Sequence, residues 1–270
     1  MKRFLIRSTL AASMSVMALT GCSSTTNSGV LGSERQQLLL VSNEQIMQAS
    51  AQGYNQLLQE ARAKGQLDTN PAMTARLNRI SRNLIQQVGL YRADALNWKW
   101  EVHTIKSNEM NAFVLPGGKI MFYTGIIDRL QLTDAEIAAI MGHEMAHAIR
   151  EHSRERASSQ QLTQVGLGIA ASVFGLSQGQ TQAASILSDL GISLPHSRTQ
   201  EAEADKIGLV LMAKAGYDPN AAVSLWEKMS RASQGAPPQF LSTHPSSSTR
   251  INTLKSLIPS VMPYYQSARR

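Results

Sequence analysis

The chain has 270 residues, 43% of them hydrophobic, and a formal net charge of +7 at neutral pH. This length and composition can bury a sizeable core in one domain, or in one domain with an N-terminal appendage. When residues 1–21 are left out the net charge falls to +4, from 23 basic and 19 acidic residues. So mild an excess, without a basic stripe and interleaved aromatic residues, argues against a nucleic-acid-binding protein.

The first 21 residues have the pattern of a secretory signal peptide. The basic residues Lys2, Arg3 and Arg7 precede an apolar stretch over residues 8–19, which is too short to span a bilayer. Small residues follow at the predicted cleavage site, directly before Cys22. The alternative interpretation is an ordinary signal peptide followed by an unrelated buried thiol.

The sequence Leu-Thr-Gly-Cys at residues 19–22 resembles the lipobox of bacterial lipoproteins. This resemblance implies that the thiol of Cys22 is lipidated and anchors the new N-terminus in a membrane. Cys22 is the only cysteine, so no internal disulfide can form, and lipidation explains this residue better. The following Ser23, in place of Asp, implies sorting to the outer membrane of a Gram-negative periplasm. Residues 22–35, rich in Ser, Thr and Gly, are expected to form a flexible tether.

Two N-terminal helices are predicted from their capping residues. A capping box at Ser42–Gln45 begins a helix that runs to about Ala63. Asn70-Pro71 begins a second helix, which ends at Gly89. Both helices are expected to be scaffolding for the core.

The pattern then changes to that of strands. Trp98, Trp100 and Val102 alternate with polar residues and predict a half-buried strand. Phe113–Leu115 and Lys119–Thr124 predict two further strands joined by a tight Pro-Gly-Gly turn. Since the rest of the chain indicates helices and loops, the predicted fold class is α+β, mostly helical, with a small antiparallel sheet.

A third capping box, formed by Thr133 and Glu136, begins a helix that carries His143 and His147. Residues four apart on a helix point in nearly the same direction, so both imidazoles can reach one metal ion. His-Glu-x-x-His is the zincin pattern, in which the Glu, here Glu144, lies beside the metal-bound water. We therefore expect one Zn²⁺ per chain, bound in part by these two histidines.

His152 is the nearest alternative for a third ligand. No Gly or Pro interrupts residues 143–155, so the helix is predicted to continue past His152. At about 100° per residue, its side chain then points away from both His143 and His147. A packing role, or a hydrogen bond to a metal ligand, is expected instead.

The third ligand is expected from the acidic segment 197–205. Glu201 and Asp205 lie four residues apart, on one helix face. Glu201 could bind the metal while Asp205 accepts the free ring N–H of a zinc-bound histidine, and Glu203 would point to solvent. Alternatively, these acidic residues only begin a helix and complement its dipole. The weaker ligand candidates elsewhere are His103, His196 and His244.

Four motifs together resemble the gluzincin family of the CaaX prenyl endopeptidases, which includes the HtpX heat-shock proteases and the Oma-type quality-control proteases. The motifs are Asn111–Gly125, His143–His147, Ser197–Asp205 and His244–Ile251. The resemblance covers roughly residues 77–257 and implies a single zincin-type metalloprotease domain over residues 36–270. No later apolar stretch could span a bilayer, and no tandem repeat is present. Within the family, the chain therefore resembles the soluble, lipid-tethered periplasmic branch.

The resemblance implies a zinc endopeptidase with His143, His147 and Glu201 as ligands. Glu144 would take a proton from the metal-activated water and pass it to the leaving amine. His244 is expected to donate to the oxyanion, because the family resemblance suggests it and no other donor is well placed. A plain loop histidine is the alternative. Arg250 either orients a carboxylate of the site or packs at a helix start, and the sequence leaves both open.

A sheet edge beside the zinc helix would accept an extended peptide as an added strand. The expected substrates are therefore unfolded polypeptides, and the tether indicates misfolded envelope proteins. Residues 158–188 are expected to form two packing helices or, alternatively, a lid over the cleft.

The alternative functions are a chaperone or assembly factor with conditional protease activity, and a non-proteolytic zinc-binding lipoprotein. The intact Glu144 argues against the last, and the oligomeric state stays open.

Overall fold

The structure is a computed structural model that describes residues 22–33, 35–174, 196–233, 238–245 and 247–270. Its helices are α1 (Asn43–Ala63), α2 (Pro71–Val88), α3 (Thr124–Leu130), α4 (Asp134–Ile149), α5 (His152–Phe174), α6 (Arg198–Lys214), α7 (Asn220–Ala232), α8 (Gln239–Thr243) and α9 (Ser248–Ala268). Its strands are β1 (Cys22–Ser23), β2 (Gln37–Leu38), β3 (Glu101–Ile105), β4 (Ala112–Leu115) and β5 (Lys119–Tyr123). This mostly helical arrangement around a small sheet confirms the predicted α+β class.

The central sheet has the strand order β3-β5-β4. The predicted hairpin is present, with β4 antiparallel to β5, but β3 pairs with β5 in parallel. The sheet is therefore mixed and not purely antiparallel as predicted. The strand predicted from Trp98 begins only at Glu101, because Ala93–Asn97 forms a 3-10 helix and the Trp100 indole donates to the carbonyl of Ala95 at 2.8 Å.

Both faces of the sheet are buried, which explains why β4 and β5 are nearly continuous apolar runs in the sequence. On one face, Val114, Ile120 and Phe122 belong to the main core beneath the helices. On the other face, Phe113 and Met121 pack beneath α1 in a second, smaller core. The sheet thus lies between α1 and the body that contains α4.

Helix α4, which carries His143 and His147, lies at the centre of the main core. Its predicted capping box is present, with Thr133 and Glu136 bonding each other's backbone, and the caps predicted for α1 and α2 are present too. The helix packs against α6, α2, α7 and β4. Gly142 of α4 faces Gly208 of α6, where an added Cβ on Gly208 would lie 2.7 Å from the backbone nitrogen of His143. These two glycines allow α4 and α6 to approach closely.

The segment predicted to be a flexible tether contacts the folded body. Strand β1, which begins at Cys22, pairs antiparallel with β2. The Thr25 hydroxyl donates to the Arg150 carbonyl at 3.0 Å, and Arg150 donates to the Arg35 carbonyl at 2.6 Å. Contacts with the body therefore begin before residue 36, where the single domain was predicted to start.

Two further predictions reach beyond the described residues. The predicted signal peptide, residues 1–21, lies outside them. Of residues 158–188, those up to Phe174 continue α5, and the remainder lies outside the described part. Within the described ranges, no helix is both long and apolar enough to cross a bilayer.

Candidate metal centre

Helix α4 presents His143 and His147 on one buried face, one turn apart. Their Nε2 atoms lie 3.1 Å from each other, and both side chains are buried. The four-residue spacing was expected to produce this convergence.

Glu201 approaches the two imidazoles from the first turn of α6. Its Oε2 lies 3.5 Å from His143 Nε2, and its Oε1 lies 3.3 Å from His147 Nε2. The Ser197 capping box begins α6 just before it, so Glu201 lies in the first turn of that helix. The structure therefore brings the three predicted ligands together.

His244 completes a cluster of four. It follows α8, and its Nδ1 lies 2.9 Å from Glu201 Oε1 and 3.3 Å from His143 Nε2. One nitrogen or oxygen from each of the residues His143, His147, Glu201 and His244 falls within a common distance of 4.8 Å.

The spacing of these atoms can be compared with the geometry of a bound metal. Two ligand atoms about 2.05 Å from a tetrahedral zinc ion lie about 3.3 Å apart. The 3.1 Å between the two Nε2 atoms of α4 and the 3.3 Å from Glu201 Oε1 to His147 Nε2 are close to this edge length. The other carboxylate oxygen, Oε2, lies 3.5 Å from His143 Nε2. The residues fit a tetrahedral site with nitrogen and carboxylate ligands.

Asp205 and Arg250 hold the ligands in place from behind. As predicted for Asp205, its Oδ1 lies 3.0 Å from His143 Nδ1, the nitrogen that faces away from the cluster. Arg250 donates to both oxygens of Asp205, at 2.6 and 2.7 Å, and contacts Glu201 at 2.6 Å. Of the two roles left open for Arg250, the structure favours orientation of the site carboxylates.

Glu144 lies beside the cluster without joining it. Its Oε1 is 3.2 Å from His244 Nε2, and its side chain is buried. Burial raises the pKa of Glu144, and the neighbouring His244 and His143 oppose this shift. A raised pKa brings the carboxylate closer to the proton affinity that a general base needs at neutral pH.

The protonation states of His147 and Glu201 suit metal binding. Burial lowers the pKa of His147 well below its ordinary value, which keeps this ring neutral. Burial acts to raise the pKa of Glu201, but His244 and His143 hold it well below its ordinary range. Glu201 is therefore anionic and His147 is neutral, the protonation states that metal binding requires.

The prediction of an unbroken helix through His152 is wrong. Helix α4 ends at Ile149, Glu151 adopts a left-handed conformation with φ of 54°, and α5 begins at His152. The break has no glycine. At the break, the Glu151 carboxylate pairs with both Arg92 and Arg154.

The break turns His152 towards His147. The Nδ1 atoms of the two rings lie 2.8 Å apart, on the side of His147 that faces away from the ligand cluster. Of the two roles expected for His152, this contact with His147, a proposed ligand, favours the hydrogen bond over simple packing. The prediction that Glu203 points to solvent is wrong as well, because this side chain is buried against His152 and two arginines.

His196, a weak candidate from the sequence, lies against the site. Its ring lies tilted by 33° against that of His147 with centroids 3.9 Å apart, and its backbone N–H donates to the Thr243 carbonyl at 3.1 Å. Its place directly before the Ser197 cap and five residues before Glu201 was the available signal. His103 is elsewhere, paired with Asp68 at 2.6 Å.

A cavity of about 470 Å³ opens beside the ligands on the α6 side. Its lining includes His196, Glu201, Asp205 and Arg250. Solvent-sized molecules can thus approach residues of the site from this side.

A model of the peptidase family M48 matches residues 71–258, well over half of the chain. This range contains the whole cluster of His143, His147, Glu201 and His244, together with Glu144, Asp205 and Arg250. The chain belongs to peptidase family M48. M48 membership confirms the resemblance predicted from the motifs, and with it the predicted enzyme class, a metallopeptidase.

Several relatives in the M48 family can be compared over different lengths. Metalloprotease LoiP of Escherichia coli is 29% identical over 262 residues, which are 93% of this chain and 96% of that protein. The mitochondrial metalloendopeptidase OMA1 of Schizosaccharomyces pombe is 42% identical over 163 residues, 60% of this chain and 47% of that protein. The β-barrel assembly-enhancing protease of Yersinia pestis is 23% identical over 218 residues, 77% of this chain and 43% of that protein.

The extent of these matches differs between the M48 relatives. This chain spans between 31% and 50% of the length of the yeast, plant and animal OMA1 proteins that it matches. The match to LoiP, in contrast, covers nearly the whole of both chains.

Proposed function

We propose that this chain is a zinc-dependent endopeptidase that is tethered to a membrane and hydrolyses unfolded or misfolded envelope proteins. The observation that carries the proposal is the cluster of His143, His147 and Glu201, whose ligand atoms have the spacing of a tetrahedral metal site, with Glu144 beside it. Imidazole and carboxylate ligands in this ratio, with a free fourth position, are typical of catalytic zinc.

Each residue of the site has a distinct task in this proposal. When bound, zinc lowers the pKa of a coordinated water to about 7 and polarises the scissile carbonyl. Glu144 accepts the proton of the attacking water and delivers it to the leaving amine, a transfer its buried position beside the cluster allows. Asp205 accepts from His143 Nδ1 and so keeps Nε2 of that ring free for the metal.

His244 is proposed as the donor to the oxyanion that develops on the scissile carbonyl. Its Nε2 lies 3.2 Å from Glu144 Oε1, so the ring reaches the space in which the reaction would occur. The other nitrogen, Nδ1, is directed at Glu201. A preorganised donor at such a position stabilises charge that appears only in the transition state.

The substrate is proposed to bind as an extended strand along β4. In the order β3-β5-β4, one edge of β4 has no strand partner among the described strands, and β4 packs on the zinc helix. Backbone pairing along this edge would bring a peptide bond towards the cluster without selecting a particular sequence. Because only a locally unfolded chain can pair in this way, misfolded proteins are the proposed substrates.

The proposed location is the periplasm of a Gram-negative bacterium, with lipidated Cys22 anchored in the outer membrane. The signal-peptide pattern and the lipobox-like sequence support it, as does the likeness to LoiP over nearly the whole chain. The OMA1 relatives are mitochondrial by name, so family membership does not decide the compartment.

Casein cleavage by wild type and Glu144→Gln tests the proposed activity. The substitution keeps the size of the side chain but removes the base, so turnover should fall by at least about 10²-fold. Zinc should be retained, since Glu144 is not among the proposed ligands. Glu227→Gln, at an exposed carboxylate paired with Lys255, is the control and should cleave casein normally. Zinc-loaded Glu144→Gln with wild-type turnover would refute the mechanism.

Membrane fractionation of Cys22→Ser tests the proposed tether. Without the thiol the lipid cannot be attached, so the protein should leave the membrane fraction or remain as an uncut precursor. Membrane binding and gel mobility equal to those of the wild type would exclude the lipid anchor while leaving the protease proposal intact.

A further inference from the structure

The far side of the ligand His147 is occupied by a second histidine. Nε2 of His147 faces His143 and Glu201, whereas its Nδ1 faces His152 Nδ1 at 2.8 Å. His152 is fully buried, so no water competes for this contact.

Metal binding at Nε2 determines where the protons lie. A neutral imidazole carries one proton, so with Nε2 bound to metal the proton of His147 is on Nδ1. It must then be donated to His152 Nδ1, which places the proton of His152 on Nε2. That nitrogen lies 3.0 Å from Glu203 Oε2, a carboxylate that can only accept. The three side chains thus form one directed chain of hydrogen bonds that ends on a buried anion.

Two arginines hold the carboxylate at the end of this chain. Arg150, whose side chain is fully buried, donates to Glu203 at 3.1 Å. Arg35 donates to both oxygens of Glu203, at 3.2 and 3.0 Å, and also to Glu155 at 2.8 Å. Arg35 belongs to the N-terminal segment that follows Cys22, so this segment reaches the metal ligand through only two intervening side chains.

We propose that His152 and Glu203 are positioning residues for His147, and that Arg35 couples the N-terminal segment to the affinity of the metal site. The inference rests on the proposed metal site at His143, His147 and Glu201. Hydrogen bonds of this kind fix the tautomer and ring direction of a metal-bound histidine and increase its basicity. When the N-terminal segment is displaced, Glu203 loses Arg35, and His147 is held less firmly.

Zinc affinity, measured by competition with a chelator, is the direct test. His152→Leu removes the acceptor but keeps an apolar side chain of similar size, so zinc should bind about 10–100-fold more weakly. His152→Asn places an oxygen near the position of Nδ1 and should recover part of that loss. Partial recovery would identify the hydrogen bond to His147, and not packing of the ring, as the cause.

Arg35→Met tests the coupling at a site that tolerates substitution, because a third of the Arg35 side chain is exposed. Its zinc affinity should fall in the same direction as that of His152→Leu, by a smaller factor. Arg76→Met is the matched control: Arg76 is similarly exposed and pairs with Asp134 at 2.5 Å, away from the site, so zinc affinity should be unchanged. If His152→Leu fails to fold, the comparison of Arg35→Met with Arg76→Met carries the test.

The possible results separate this inference from the proposed function. Wild-type protein that binds no zinc would overturn both. Tight zinc binding by the wild type, matched by equal affinity in His152→Leu and in Arg35→Met, would overturn this inference alone. Equally weak binding by His152→Asn and His152→Leu would overturn the hydrogen-bond account. Visible spectra of the cobalt-substituted proteins provide a second measurement, because a reoriented His147 alters the coordination geometry.

Discussion

Glu201 and Asp205 lie on the same face of α6, yet their carboxylates have different surroundings. Glu201 is directed at Nε2 of both histidines of α4, whereas Asp205 lies behind His143 and is paired on both oxygens by Arg250. A carboxylate at the front of the cluster can bind the metal. One behind it can only orient a ligand.

Removal of each carboxylate should therefore have a different effect on bound zinc. Glu201→Ala leaves two imidazoles of α4 and should abolish stoichiometric zinc. Asp205→Ala leaves all the proposed ligands and should weaken zinc by about 10–100-fold, the usual loss for a residue that orients a ligand. Metal analysis after dialysis, followed by chelator competition, measures both. Tightly bound zinc in Glu201→Ala would remove this residue from the ligand set.

The proposed role of His244 predicts a particular pattern in steady-state kinetics. If the ring acts when charge develops, His244→Ala should lower kcat by roughly 10²–10³-fold with little change in KM, which corresponds to about 2.7–4 kcal/mol. A near-normal kcat would indicate a simple loop residue. Because Nδ1 also lies 2.9 Å from Glu201, a zinc assay on the same variant is needed: lost metal would make His244 a ligand instead of an oxyanion donor.

The side-chain directions of residues one helical turn apart could be predicted from the sequence. The directions of residues that depend on tertiary contacts could not. The rings of His143 and His147 converge because helix geometry alone requires it. The direction of His152 was predicted wrongly because the helix breaks at Glu151, whose carboxylate pairs with Arg154 nearby and with Arg92, 59 positions earlier in the chain. No local pattern connects Glu151 with Arg92. Glu203 was missed for the same reason, since its partners lie up to 168 positions away in the sequence.

At the scale of elements, the site depends on how closely α4 and α6 approach, since each helix supplies part of the cluster. The contact passes through Gly142 and Gly208, where no side chain separates the two backbones. The sequence predicted both helices but not their close contact. A glycine within a helical segment does not indicate which other helix packs against it.

Gly208→Ala should therefore weaken both the fold and the site. The added methyl would lie 2.7 Å from the His143 backbone nitrogen, so the helices must separate. We expect a loss of about 1–3 kcal/mol in the free energy of unfolding, together with weaker zinc binding. Gly142→Ala is the matched comparison and should cost less, because its added methyl would lie 3.1 Å from the Gly208 carbonyl. Urea unfolding and chelator competition measure the two effects, and unchanged values in Gly208→Ala would contradict this account.

At the scale of the whole molecule, the N-terminal segment is part of the folded body. Composition alone suggested a flexible tether, because Ser, Thr and Gly bury little apolar surface. The contacts that hold it are instead polar: Ser24 and Thr25 bond Arg150, and Arg35 bonds Glu155 and Glu203. A segment held by hydrogen bonds to buried charges has no hydrophobic signal in its own sequence.

Metal removal should lower the stability of the entire domain, because the proposed ligands join α4 to α6. A ligand that binds only the folded state stabilises it by about 2.7 kcal/mol when its free concentration is 100 times Kd. For a domain of this size that corresponds to a fall in Tm of about 5–11 °C on chelation. Differential scanning calorimetry with and without EDTA measures the shift. Glu201→Ala is the control and should melt at the same temperature in both conditions, since it has no tightly bound metal to lose. An equal EDTA shift in wild type and Glu201→Ala would place the stabilising metal somewhere other than this cluster.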